Sequence, residues 1–387
     1  MTGPASGSGG SAFLDRLRAA ADERSEAGLT RSLRPRAAGT VVLDLAGNDY
    51  LGLATDPRVA QAAAQAACRW GAGASASRLV TGTLELHAEL EAALAGFCQQ
   101  PRALVFSSGY LANLGVVTAL AGPDVLLVSD AHVHASLVDA CRLARARVQV
   151  VPHGDVAAVD AALAGRQEPH AIVLAESVYS VLGDAAPLAA LADVARRRGA
   201  VLVVDEAHGI GVCGPEGQGL VAAAGLAGRP DVIVTATLSK ALGSQGGAVL
   251  GAPEVIEHLV NTARPFIFDT GLNPAAAAGA MAALRILEEE PERVAAVHSC
   301  AATLAGAAGV PAPAGAVLSV PVDSPEQAVA AAAEFFDRGV RVGCFRPPSV
   351  PDGVSRVRLT SRATLRGEEL ERAASVVRTV LGLRRPR

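Results

Sequence analysis

Val-Val-Asp-Glu-Ala-His-Gly-Ile-Gly, residues 203–211, holds both a fold and a chemistry in nine positions. It opens inside a continuous apolar run, Val201–Asp205, with β-branched residues and no alternation of polar and apolar. That is how a strand buried on both faces reads. The run ends on Asp205, so the pattern predicts a partly buried carboxylate in need of a cationic partner. Six more runs of this kind lie around it: Ala103–Phe106, Val125–Ser129, Val148–Val151, Ala171–Ala175, Val232–Ala236 and Ala248–Gly251. A turn and a longer helical stretch separate most of them, which implies βαβ units and a mostly parallel sheet covered by helices. Seven runs make one large α/β domain.

The rhythm changes on either side. Phe13–Arg24 reads as an amphipathic helix, followed by a basic turn at 31–36 and a short strand at 41–45. Beyond Asn273 an Ala-rich helix (Pro274–Glu290) leads to strands at 317–322, 340–345 and 355–360. Helices at 325–338 and 367–383 complete a smaller α+β domain. The expected boundaries are 1–50 for the N-terminal tail, helix and substrate-contacting segment, 51–285 for the large domain and 286–387 for the small one.

Composition narrows the function. Of 387 residues, 50% are apolar and 19% charged, too rich in core formers for a disordered chain. A formal charge of −4 without basic blocks argues against nucleic-acid binding. No apolar run has the length and purity of a membrane span. The scattered cysteines lack CxxC spacing, so a reduced, cytoplasmic setting is expected. The first twelve residues, lacking a charged segment and an apolar core, read as a polar tail rather than a signal peptide.

Among the 34 basic residues there is one lysine, Lys240. Arginine cannot lose its proton at any useful pH, so Lys240 is the one side chain able to act as a neutral amine nucleophile. It lies in Thr237-Leu-Ser-Lys-Ala-Leu-Gly-Ser-Gln-Gly-Gly247, just past a predicted strand. Ligands of open α/β sheets sit outside the carboxyl ends of strands. On this segment alone a surface lysine reads as well. A strand-end Asp205 followed 35 residues on by a strand-end lysine, however, suits pyridoxal phosphate. The acid keeps the pyridine nitrogen protonated and the amine binds the aldehyde.

Other segments fit around that pair. Phe106-Ser-Ser-Gly-Tyr-Leu-Ala-Asn113 runs from a strand into a helix, where the N–H groups of Gly109 and Tyr110 can cradle a phosphate. In Ser129-Asp-Ala-His-Val-His-Ala-Ser136, the two histidines lack a third ligand for zinc. An imidazole stacked on an aromatic cofactor, or a helix cap, are the better readings. Gly209-Ile-Gly-Val-Cys-Gly214 matches the dinucleotide fingerprint literally. It should then open a helix, but Pro215, Gly217 and Gly219 follow at once. A nicotinamide-dependent dehydrogenase is therefore the lesser alternative.

Six stretches now stand in order: Asn-Asp-Tyr-Leu-Gly (48–52), Ser-Arg-Leu-Val-Thr-Gly-Thr (77–83), Ser-Ser-Gly-Tyr (107–110), Asp-Ala-His-Val-His-Ala-Ser (130–136), Asp-Glu-Ala-His-Gly (205–209) and Thr-Leu-Ser-Lys-Ala-Leu-Gly (237–243). With them the chain resembles the α-oxoamine synthases, pyridoxal-phosphate enzymes of fold type I. The likeness runs from about residue 13 into the C-terminal region, including 344–351 and 356–360.

The resemblance implies pyridoxal 5′-phosphate as cofactor and no metal. It makes Lys240 the covalent anchor and Asp205 the partner of the pyridine nitrogen. His134 would stack on the ring, His208 would bond its phenolic oxygen and Ser180 would contact it. Gly109, Tyr110 and Thr237 would hold the phosphate, with Thr270 reaching it from the partner subunit of a homodimer. Arg358 and Asn48 would bind the amino-acid carboxylate, and Ser349, where threonine is usual, would also contact substrate. Arg31 matches an arginine for the distal carboxylate of a pimeloyl chain, or is one of several solvated arginines between Thr30 and Arg36. The implied reaction is a decarboxylative condensation of L-alanine with a pimeloyl thioester on coenzyme A or a carrier protein. Glycine C-acetyltransferase chemistry is the alternative within the family.

Overall fold

The computed structural model describes residues 11–31, 33, 35–39, 42–347 and 350–382. Among these, the strands are β1 Leu43–Leu45, β2 Arg102–Phe106, β3 Val125–Asp130, β4 Arg147–Val151, β5 His170–Glu176 and β6 Val201–Asp205. Then come β7 Val232–Thr237, β8 Gly247–Gly251, β9 Val317–Pro321, β10 Val340–Phe345 and β11 Arg356–Thr360. Two sheets result. The larger has seven strands in the order β2-β8-β7-β6-β5-β3-β4, and only β8 runs against its neighbours.

Alternate residues of every strand of this sheet except β4 feed two apolar layers. Val105, Val128, Val173 and Val204 point into one, with the helices Pro57–Trp70, Glu85–Phe97, Leu188–Arg197 and Pro274–Glu289. Leu104, Leu127, Leu174 and Val203 point into the other, with the helices Gly109–Leu120, Ala135–Ala144 and Pro253–Thr262. Continuous apolar runs satisfy both faces at once, which is why they read without alternation. The Ala-rich helix Pro274–Glu289 packs on Pro57–Trp70, where small side chains allow close approach.

The smaller sheet has the order β1-β10-β11-β9, so the strand near residue 43 joins a sheet otherwise built 270 residues later. Its core, with Leu45, Phe335, Val340, Val357 and Leu359, is a separate cluster.

Two expectations meet a different setting. The run at 148–151 forms β4, the edge of the sheet, where Val148 and Val150 are 39% and 64% exposed. The apolar run there does not mean burial on both faces. The helix Ala12–Glu26 forms where the pattern predicts it, yet none of its residues is buried. Gly209–Gly214 opens no helix; it turns around Glu206, whose carboxylate accepts from Ser177 Oγ and Val221 N, both at 2.5 Å. A Cβ on Gly209 would come within 1.7 Å of that carboxylate, so packing accounts for this glycine.

At the carboxyl ends of β3, β4 and β5, His153 ties three loops. Its Nδ1 lies 3.0 Å from Asp130 Oδ1, and its Nε2 lies 2.9 Å from Asp184 Oδ2. His132 and Tyr179 pack on the ring. The hydrogen bonds to Asp130 and Asp184 push the imidazole up to about 10. A group whose value rises on folding stabilises below its unfolded value and loses that contribution as pH climbs through the folded one. His153→Ala should therefore lower Tm most near pH 6, with the deficit shrinking as pH approaches about 10. Thermal melts across that range check it; a deficit independent of pH contradicts a charged His153.

Candidate active site

The chemistry-bearing residues collect where β5, β6 and β7 end. Asp205, at the end of β6, is 5% exposed. Its Oδ2 accepts from Asn113 Nδ2 at 2.7 Å and its Oδ1 from Ala207 N at 2.9 Å. Asn113 is itself fixed, accepting from Thr235 Oγ1 at 2.6 Å and donating to Ser136 Oγ at 2.8 Å. Ser136 Oγ lies 2.8 Å from His134 Nδ1, which also accepts from Ser136 N. The same bonds that orient the carboxylate thus orient the imidazole of His134.

Lys240 starts a second chain. Its Nζ lies 3.0 Å from His208 Nε2, and His208 Nδ1 lies 2.7 Å from Tyr50 Oη. Tyr50 donates to Asn48 Oδ1 at 3.1 Å, and Arg358 Nη2 donates to the same oxygen at 3.1 Å. One assignment of protons satisfies every link. Lys240 donates to Nε2, His208 Nδ1–H donates to Tyr50, and Tyr50 donates to Asn48. It requires a neutral His208. Burial, and then the charges of Lys240 and Arg358, hold His208 well below its usual range. Burial also lowers the Lys240 ammonium, against the pull of Asp205 and Glu176. An amine that gives up its proton more readily is a better nucleophile and base.

Arg358 is 7% exposed and makes no ion pair among the described residues. Its Nη1 donates to the Ser180 carbonyl at 2.8 Å, its guanidinium stacks 4.6 Å from the Phe345 ring centroid, and its Nε is buried without a partner. A buried guanidinium without a carboxylate is costly unless an anion comes to it.

On the other side of Lys240, Gly109 opens a twelve-residue helix. A Cβ at Gly109 would lie 3.0 Å from Thr237 Cβ, so glycine brings the helix start and the Thr237 hydroxyl into one cradle without crowding. Ser239 Oγ is 2.7 Å from Thr237 Oγ1. Free backbone N–H groups, two hydroxyls and a positive helix end suit a phosphate. Tyr110 donates its hydroxyl to Asp139 at 2.6 Å, so its backbone rather than its phenol faces the cradle. Pyridoxal 5′-phosphate fits this donor set: a cradle for phosphate, a lone amine for the aldehyde and a fixed carboxylate for the ring nitrogen.

A model of the aminotransferase class I and II family matches residues 40–377. The chain belongs to that family. Within it, the 8-amino-7-oxononanoate synthase of Mycobacterium sp. strain KMS is 58% identical over 371 residues, covering 96% of both chains. That of Mycolicibacterium smegmatis is 59% identical over 94% of this chain and 95% of its own. Among solved structures, the serine palmitoyltransferase of Sphingomonas wittichii superposes with a TM-score of 0.88 at 30% identity, over 96% of this chain and 98% of its own. The enzyme from S. paucimobilis, solved with bound PLP–myriocin, gives 0.87 at 31%, over the same shares. The Francisella tularensis 8-amino-7-oxononanoate synthase shares the fold at 23% identity and a TM-score of 0.75, over 88% of this chain and 98% of its own.

Lys240, His208, Asn48, Ser180 and Arg358 form one hydrogen-bonded group, with Asp205 and His134 in a second beside it and Gly109 meeting Thr237. Thr270 is exposed, next to Asp269, which accepts from Ser107 Oγ. Arg31 stands apart, lining a groove of about 1280 Å³ shared with Arg24, Arg341 and Arg346. Ser349 lies outside the described residues. Tyr50, Asn113 and Glu176 are site residues that the sequence does not single out. Tyr50 and Asn113 stand inside quoted motifs, but their partners are 158 and 92 residues away.

Tyr50→Phe should leave His208 Nδ1 without its buried partner and cost about 1–3 kcal/mol, read by urea unfolding. A loss well under that range would mean that His208 finds another partner.

Proposed function

We propose that the chain catalyses the reaction for which its mycobacterial relatives are named. It condenses L-alanine with a pimeloyl thioester to give 8-amino-7-oxononanoate, CO₂ and free thiol, a step of biotin biosynthesis. The observation that carries this reading is Arg358, a buried cation with no carboxylate partner among the described residues, linked through two residues, Asn48 and Tyr50, to the neutral His208 and, beyond it, the lowered Lys240 amine. The glycine C-acetyltransferase alternative is not favoured, because relatives at 58% identity bear the other name.

When bound, the cofactor supplies an electron sink for the substrate Cα. The chain does the rest. Arg358 and Asn48 hold the alanine carboxylate, a task suited to a forked guanidinium. Lys240 would anchor the cofactor until the alanine amine displaces it, and the freed Nζ would then take the proton from Cα and return one after CO₂ leaves. Asp205, immobilised by Asn113, would pair with the ring nitrogen and keep it protonated. His208 would bond the phenolic oxygen, and His134 and Ser180 would contact the ring. Gly109, Tyr110 and Thr237 would hold the phosphate. Pre-set positions for amine, acid and carboxylate convert a multi-body encounter into one within a single site.

Four further assignments belong to the same proposal. Thr270, exposed here, reaches the phosphate of a partner subunit in a homodimer. Ser349 contacts the substrate. Arg31 takes the distal carboxylate of the pimeloyl chain, supported by the arginine-lined groove on which it sits. The enzyme works in the cytoplasm, in keeping with the absence of any helix, among the described residues, long and apolar enough to cross a membrane.

Three measurements test the reading. A thiol-release assay crossing alanine, glycine and serine with pimeloyl-, acetyl- and palmitoyl-coenzyme A should favour alanine with pimeloyl; preference for another pair overturns it. Lys240→Arg should abolish turnover while circular dichroism and Tm stay near wild type, because arginine cannot shed its proton; near-normal activity would sink the mechanism. Arg31→Ala should raise KM for the pimeloyl thioester with little effect on alanine, and equal effects on both would assign Arg31 elsewhere.

A further inference from the structure

Glu176 is a second buried carboxyl in the site, and the mechanism above leaves it unused. It ends β5 directly beside Asp205 of β6, the two being register partners in a parallel pair. It is 1% exposed. Its Oε2 accepts from Ser180 N at 2.9 Å, and its Oε1 is buried without a hydrogen-bond partner. The Ser180 carbonyl in turn accepts from Arg358 Nη1 at 2.8 Å. Glu176 is thus two hydrogen bonds from the guanidinium that awaits the amino-acid carboxylate.

Resting on that assignment of Arg358, we propose that Glu176 is a positioning residue kept as the neutral acid, fixing the Ser180 turn whose carbonyl aims Arg358 at the substrate. Geometry argues for the proton. An ionised Glu176 would set two carboxylates side by side on adjacent strands, one with an oxygen that nothing solvates. The groups around it are Asp205 from β6, Lys240 from the turn after β7, the backbone of His134 after β3, Tyr179, and Arg358 from β11 through Ser180. Burial first, and then the Asp205 charge, pushes Glu176 up to about 8. Lys240 opposes this, yet Lys240 is itself lowered by burial and cannot serve as a full counter-charge.

The consequence is a charge-free role that glutamine can fill and alanine cannot. Two variants separate it from a merely structural carboxylate. In the cofactor-free protein, an acid raised on folding destabilises progressively as pH climbs from its unfolded value to its folded one. Glu176→Gln removes that penalty, so its Tm advantage over wild type should widen between pH 5 and about 8. A constant difference would show an ionised Glu176 and overturn the proposal.

In the holoenzyme without thioester, the dissociation constant is read from the visible absorbance change, for whichever of alanine, glycine or serine the wild type binds. Glu176→Gln should bind within about threefold of wild type, whereas Glu176→Ala should bind roughly tenfold or more weakly, as expected for losing one hydrogen bond that orders a charged group. Equal binding by the alanine variant would overturn the positioning role. Should that variant fail to fold, a Glu176→Gln protein that binds tenfold more weakly than wild type would do the same. None of these readouts uses the acyl donor, so failure of the pimeloyl assay would strike the proposed function and leave this inference standing.

Discussion

Charge crowded into a place short of water is the constraint around which this molecule is arranged. Glu176 and Asp205 end adjacent strands, Lys240 and Arg358 come in from the turn after β7 and from β11, and solvent reaches none of them freely. Left alone, such a cluster would be expensive. The structure lowers the cost by neutralising some members and fixing the rest. Burial takes charge from His208 and Glu176, whereas Asp205 keeps two donors and Arg358 keeps the Ser180 carbonyl, Asn48 and the Phe345 face. What remains is a set of groups whose partners are ligands.

The two sheets exist, in functional terms, to bring those groups together. The large sheet supplies strand ends for Asp205, Glu176 and the Lys240 turn. The small one supplies Arg358, and β1, which pairs with β10, leads into Asn48 and Tyr50. The family membership and the 58% likeness to mycobacterial synthases rest on sequence. Independently of that likeness, a lone amine, a fixed carboxylate and a bare guanidinium suit much the same chemistry.

Much of this was legible before any coordinates. The seven uninterrupted apolar runs correspond to the seven strands of the large sheet, and all but the run at 148–151 are buried as that pattern implies. Asp205 stands out because it ends such a run, and Lys240 because it is the one lysine and lies just past another. What the sequence could not display were relations across long separations. Tyr50 reads as a core aromatic until His208 is placed against it, and Asn113 as a helix residue until β6 arrives. Glu176 looks like one more strand-end acid until its register with Asp205 is known. The edge position of β4 was hidden for the same reason: run composition carries no information about which neighbour is missing. The glycine fingerprint at 209–214 is set aside on sequence alone, because Pro215, Gly217 and Gly219 follow it, but only the structure shows that those residues pack round the buried Glu206 carboxylate.

Having one lysine also makes the protein unusually easy to interrogate. Reagents that acylate or reductively alkylate side-chain amines have one target here, and that target sits half-buried against a neutral imidazole. Its labelling rate therefore reports on a single position, without the background that a lysine-rich surface would impose. The arginine bias of the chain, otherwise a matter of composition, leaves the site with a built-in chemical address.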